Sequence, residues 1–307
     1  MQERQSRLLL PLALPTAIVA VSSSSIFIRF AQADAPSLVI AALRLVIASL
    51  LLAPLALTRY RAELLRLTRR ELILGAVSGL FLAIHFAMWI TSLEYTTVAS
   101  SVVFVSTGPL WVALLSPVFL NEQLTRPAVV GLAIALIGGT IIGLAEACTW
   151  AGGPQCPELG QILQGQSIWG NFLALCGAWA VSGYLLIGRK ARARISLIPY
   201  IFLVYGASAV VLTIFMTTAQ QNPFGYEPQT YLWIFLLAAV SQLIGHSTFN
   251  WLLKYLPATL VAVTTLSEPV GSAVLAYFFL KETPSMGVLI GGALILFGVF
   301  LTSRQSQ

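Results

Sequence analysis

Apolar residues run along this chain in long unbroken stretches separated by short polar clusters, with neither the alternation of a strand nor the single stripe of a surface helix. Ten stretches have the length, about 20 mostly apolar residues, that a helix needs to cross roughly 30 Å of hydrocarbon. They lie near 8–30, 36–57, 70–91, 97–119, 126–145, 168–187, 196–217, 230–253, 258–280 and 285–303. The pattern predicts an all-α membrane protein with ten transmembrane helices.

One register shift organises these stretches, since residues 95–143 reappear 160 positions later as residues 255–303. Tyr95 falls on Tyr255, Pro109 on Pro269, Phe119-Leu120 on Phe279-Leu280, Glu122 on Glu282, Gly131 on Gly291 and Gly138 on Gly298. Ala20, Ser22, Arg29 and Ala31 meet Ala180, Ser182, Arg189 and Ala191 at the same offset, so whole halves are duplicated. The expected organisation is a five-helix repeat over 8–145, an outer loop over 146–167 and a second five-helix repeat over 168–303. Five is odd, so the second copy enters the bilayer from the opposite side and the repeats are inverted, an architecture used by secondary transporters.

Composition agrees with a membrane solvent: of 307 residues 58% are hydrophobic and 9% charged, with a mean hydropathy of +0.87. Charge placement predicts the orientation. With the N-terminus inside, every Lys and Arg falls in an inner segment except Arg29 and Lys281, which lie outside, and Arg44, which lies within a span. Both termini are therefore expected in the cytoplasm, with the chain in the inner membrane. The net charge of +6 reads as topology determinants beside anionic lipid and calls for no nucleic acid. The first apolar run passes Ile28 without a cleavage site, so it is expected to stay as the first span. Cys148 and Cys156 share the outer loop, where the sequence allows either a disulfide or two free thiols; Cys176 reads as a packed small residue. No metal-ligand spacing, P-loop or dinucleotide fingerprint occurs, so no cofactor or metal is expected and an ATP-driven pump has no support.

The stretch from Pro109 to Phe119-Leu120-Asn121-Glu122, and its copy from Ser267-Glu268-Pro269 to Phe279-Leu280-Lys281-Glu282, resemble the proline-to-glutamate motif of the EamA family of the drug/metabolite transporter superfamily. Trp169-Gly170-Asn171 leading into Ala178-Trp179 and Gly188-Arg189-Lys190 is similar to that family's opening of the second repeat. The first repeat departs from it, with Ser22-Ser23-Ser24-Ser25 where the family often has Trp-Gly. The resemblance covers nearly the whole chain. It implies a secondary carrier that moves small metabolites, often outward, through a central cavity between the repeats.

Candidate chemistry comes from polar groups at membrane depth, which usually face a cavity or a partner. Glu268 lies about 15 Å into the ninth span at 1.5 Å per residue, and its repeat mate is Gly108, so the duplication has broken symmetry there. Glu268 reads as a proton acceptor or substrate contact, and Arg44 as an anchor for an anionic group. A buried Arg44–Glu268 ion pair that only fixes packing is the competing reading. His85 and His246 fall one residue off the repeat register and suit gating or a proton relay, against plain hydrogen-bonded packing. Trp89, Trp111, Trp179, Tyr184, Tyr205, Asn250 and Trp251 are candidate cavity walls. Pro109 and Pro269 are candidate kinks that free backbone carbonyls.

Gly75-x3-Gly79, Gly139-x3-Gly143 and Gly287-x3-Gly291 permit close helix crossings within the bundle, or a homodimer seam on the fifth and tenth spans. A rival from another class is an intramembrane serine hydrolase using Ser208 with His246, although Gly206-Ala207-Ser208 is a weak pattern in small-residue helices. A passive channel would need a continuous polar lining that these apolar spans lack. The sequence therefore points to a carrier that exports small organic metabolites, such as amino acids or related compounds, by alternating access.

Overall fold

The structure, a computed structural model, describes residues 2–92, 94–96, 98–147, 166–281 and 283–304. Cys148, Cys156, most of the outer loop and Glu282 lie outside the described residues. Every element among the described residues is helical. The first half holds α1 (Gln2–Ala31), α2 (Ser37–Thr58), α3 (Arg61–Arg66), α4 (Arg69–Ser92), α5 (Val98–Val105), α6 (Gly108–Phe119) and α7 (Arg126–Ala147). The second holds α8 (Gln166–Arg192), α9 (Leu197–Thr218), α10 (Pro228–Leu236), a π-helix (Leu237–His246), α11 (Ser247–Leu252), α12 (Ala258–Thr265), α13 (Glu268–Leu280) and α14 (Met286–Ser303). Among the described residues eight helical stretches are long and apolar enough to cross a membrane, and two shorter apolar ones cover Val103–Phe119 and Arg126–Ile142.

Local chemistry sets where these helices begin and end. Thr68 and Glu71 form a capping box before α4: the Thr68 amide donates to Glu71 Oε2 at 2.8 Å and the Glu71 amide to Thr68 Oγ1 at 3.3 Å. At its far end α8 carries Arg189, Lys190 and Arg192 in its last turn, where cations suit the helix dipole. The predicted fourth and ninth spans are each broken in two, into α5 and α6 and into α12 and α13. Both breaks fall just before proline, since Pro109 and Pro269 occupy the second position of α6 and α13, where a missing N–H costs no helical bond.

The chain divides into two compact units, each drawing on both halves of the sequence. The first comprises residues 1–83 and 184–257. Within it α1 packs on the π-helix and α2 on α9, over a core that includes Ile28, Ala31, Ile40, Ile234 and Leu237. Where α4 meets α9, a Cβ on Gly79 would fall 2.6 Å from the Val204 carbonyl oxygen, so only glycine permits this approach. The Gly79 carbonyl accepts from Ser208 Oγ at 2.6 Å.

The second unit comprises residues 84–183 and 258–307. Its core includes Ala113, Leu132, Ala135, Val263, Leu266 and Ile295. Here α7 and α14 cross at glycines: a Cβ on Gly131 would fall 2.5 Å from the Gly298 carbonyl oxygen, and one on Gly138 2.5 Å from that of Gly291. The reciprocal clashes hold as well, so the pairing is mutual, and it runs antiparallel.

Three acidic residues of the first half cap segments of the second. Asp34 Oδ2 accepts from the Glu227 amide at 2.9 Å and from the Thr230 hydroxyl at 2.8 Å, at the head of α10. Glu63 accepts from the Ser196 amide at 2.8 Å and from its hydroxyl, before α9. In the second unit, Glu122 Oε2 accepts from the Ala258 amide at 2.9 Å, at the head of α12. Each carboxylate meets unpaired N–H groups at a helix start, where negative charge is favoured.

Candidate functional site

In the first unit the predicted residues gather around the π-helix. Such helices rarely outlast one turn and often mark functional sites, and this one runs for ten residues. Arg44, only 1% exposed, donates from Nε to Gln242 Oε1 at 2.8 Å. The Gln242 backbone carbonyl accepts from the Tyr205 hydroxyl and from Ser247 Oγ, each at 3.3 Å. The Tyr205 and Ser247 hydroxyls are themselves 3.1 Å apart. Asn250 donates from Nδ2 to the Tyr184 hydroxyl at 2.5 Å and to the His246 carbonyl at 2.8 Å. The Asn250 backbone carbonyl accepts from Arg192 Nε at 3.0 Å. Gln242, a residue that sequence reasoning missed, thus joins Arg44 to Tyr205 and Ser247, while Asn250 joins Tyr184 to the backbone of the half-buried His246. The signal available was an amide in the middle of an apolar span, less conspicuous than an ionisable group.

The second unit holds the other candidates. His85 Nδ1 lies 2.9 Å from the Gly177 carbonyl oxygen, which can only accept, so Nδ1 carries the hydrogen and Nε2 is the basic nitrogen of the neutral ring. The ring stacks on Trp89 with centroids 5.9 Å apart and planes 14° apart. Trp111 meets Trp179 edge to face at 5.6 Å, and its Nε1 donates to Thr107 Oγ1 at 3.2 Å. Glu268 is half-buried at the first position of α13, directly after the break and before Pro269. At the matching break, the Gly108 carbonyl preceding Pro109 accepts from Ser182 Oγ at 2.9 Å. Both breaks thus place one of these residues at the first position of a half-helix, the end at which backbone N–H groups are unpaired.

No group of three or more His, Cys, Asp or Glu among the described residues is arranged to hold a metal. Ser208, the nucleophile of the hydrolase reading, is buried and spends its hydroxyl on Gly79.

The chain is 24% identical to an uncharacterized transporter of Archaeoglobus fulgidus over 76% of its own length and 75% of that protein's. It is also 24% identical to the uncharacterized transporter YetK of Bacillus subtilis, over 94% of this chain and 85% of that one. A solved crystal structure of a protein 21% identical to it superposes with a TM-score of 0.78 over 96% of each chain, so the two share a fold. The Archaeoglobus and Bacillus proteins are transporters by name, and neither lends the hydrolase reading support. The profile of the EamA-like transporter family matches residues 10–144 and again residues 168–304. Apolar spans broken at repeat-related prolines, a match in each half and transporter relatives along most of the chain lead to one conclusion: this multi-pass membrane protein belongs to the EamA-like transporter family.

Proposed function

We propose that the chain is a secondary carrier of ten spans, arranged as two inverted five-helix repeats over 8–145 and 168–303, that exports small organic metabolites such as amino acids by alternating access. The observation that carries the inverted arrangement is the α7–α14 crossing. Gly131 and Gly291 are repeat mates, as are Gly138 and Gly298, yet Gly131 meets Gly298 and Gly138 meets Gly291, antiparallel. That reciprocal exchange is what a local two-fold axis produces. The distribution of Lys and Arg supports cytoplasmic termini and an inner-membrane location. A homodimer through α7 or α14 would use their outer faces, where Gly139 has open space, because Gly131, Gly138, Gly291 and Gly298 are spent within the chain.

In this reading Arg44, Tyr184, Tyr205, His246, Asn250, His85, Trp89, Trp111, Trp179 and Glu268 are the substrate-contacting residues, with Glu268 taking up the coupled proton and Pro109 and Pro269 setting the breaks about which the spans bend. Proteoliposome flux measured with and without an imposed proton gradient tests the assignment. Gradient-driven accumulation that Glu268→Gln uncouples, with substrate binding retained, is expected. Accumulation that follows the gradient equally in E268Q would remove this residue from coupling.

A further inference from the structure

The span Pro228–Leu252 buries an amide that folding alone does not explain. Gln242 is 0% exposed, and its Oε1 is held by Arg44 Nε at 2.8 Å, while its Nε2 has no hydrogen-bond partner among the described residues. A fully buried N–H donor without an acceptor is costly and uncommon, and the Arg44 bonded to this amide is an ionisable group within a span, the kind of residue that marks a transport path. The backbone around it is fixed. The wide π turn presents the Gln242 carbonyl to Tyr205 and Ser247, so the side chain projects from an anchored segment.

Resting on the carrier reading, we infer that Gln242 Nε2 and the Arg44 guanidinium together receive the carboxylate of the transported substrate. Both groups donate and neither nitrogen accepts, so the locus suits an acceptor-only anion and repels an ammonium. A guanidinium fork matches the two oxygens of a carboxylate, and charge-assisted bonds of this kind are the strong ones in a dry site. Gln242 Oε1 aligns the arginine while Nε2 supplies the extra donor. The substrate class is accordingly small organic acids, including amino acids in zwitterionic form, and not simple amines or neutral amides.

Thermal stabilisation of the purified full-length protein in detergent tests this, with matched probes: L-lactate against lactamide, L-phenylalanine against L-phenylalaninamide, and chloride and inorganic phosphate as plain anions. At least one carboxylate is expected to raise the unfolding temperature while its amide and the inorganic anions do not. Gln242→Glu, which keeps the shape and places a negative charge beside Arg44, is expected to weaken that carboxylate at least tenfold. If Q242E does not fold, Gln242→Met removes the donor at similar volume and gives the same readout. Equal stabilisation by acid and amide, stabilisation by inorganic anions alone, no response to any carboxylate by folded protein, or undiminished binding in the variant would each overturn the inference. Counterflow of a compound lacking a carboxylate, unaffected by Q242E, would overturn it and leave the carrier reading intact. Carboxylate binding by protein that moves nothing in proteoliposomes would do the reverse.

Discussion

Asn121 and Lys281 occupy the same place in the two copies of the duplicated sequence, and both adopt the left-handed backbone, with φ of 57° and 60°. In the first copy this residue ends α6: the Leu120 amide returns to the Ser116 carbonyl at 2.9 Å and the Glu122 amide to the same oxygen at 3.4 Å, closing the last turn. The corner turns the chain so that Glu122 reaches the head of α12. What looks in the sequence like a motif ending in glutamate is a helix stop followed by a helix start.

A left-handed L-residue other than Asn, Asp or Gly costs about 1–2 kcal/mol, and asparagine is among the residues that tolerate the conformation. Lys281→Gly should therefore raise the unfolding temperature in detergent by the equivalent of about 0.5–1 kcal/mol. Asn121→Gly should gain less. A lower unfolding temperature for K281G would mean that the lysine side chain holds more than the corner costs.

Glu122→Ala removes the acceptor for the Ala258 amide and should cost about 1–2 kcal/mol, the usual loss of a helix cap. Glu122→Gln keeps an acceptor oxygen and should recover most of it. Thermal unfolding of both variants decides the matter, and equal losses in the two would assign the effect to charge instead of to the hydrogen bond.

Adjacent glycines of α7 have opposite surroundings. A Cβ at Gly138 meets the Gly291 backbone, whereas one at Gly139 meets nothing within 4 Å. Gly138→Ala should destabilise by about 1–3 kcal/mol through overpacking. Gly139→Ala should be neutral or stabilising, by up to about 1 kcal/mol, because alanine is the better helix former. Unfolding temperatures measured side by side would contradict the crossing if the two variants behaved alike.

Much of this fold was legible in the chain because hydrocarbon imposes a simple rule on it. The apolar stretches mark the helices, and Pro109 and Pro269 mark where two of them break. The π-helix was not legible: Leu237–His246 lies inside the apolar span Pro228–Leu252, and nothing in a sequence period separates five-residue from four-residue hydrogen bonding. Gln242 was overlooked for a related reason, since its importance comes from Arg44, some 200 residues earlier, and not from its own neighbours. The capping roles of Asp34, Glu63 and Glu122 were hidden in the same way, each carboxylate serving a segment more than a hundred residues away. Arg44, Tyr184, Tyr205 and Asn250 could be picked out singly as polar groups in spans, while their common neighbourhood required the fold.

Ser208→Ala separates a packing hydroxyl from a chemical one. Loss of its bond to Gly79 should cost about 1 kcal/mol of stability and leave substrate flux intact at temperatures where the protein is folded. Abolished flux in a stably folded variant would show that the hydroxyl acts in transport.

Counterflow is the most direct measurement of the central claim. Proteoliposomes loaded with one unlabelled metabolite from a panel of small organic acids, amino acids and amines would be diluted into the same labelled compound. A carrier working by alternating access predicts transient, saturable uptake of a subset of the panel, abolished when the vesicles are empty. Linear uptake that ignores the loaded compound, or no movement of any compound by demonstrably folded protein, would contradict the account.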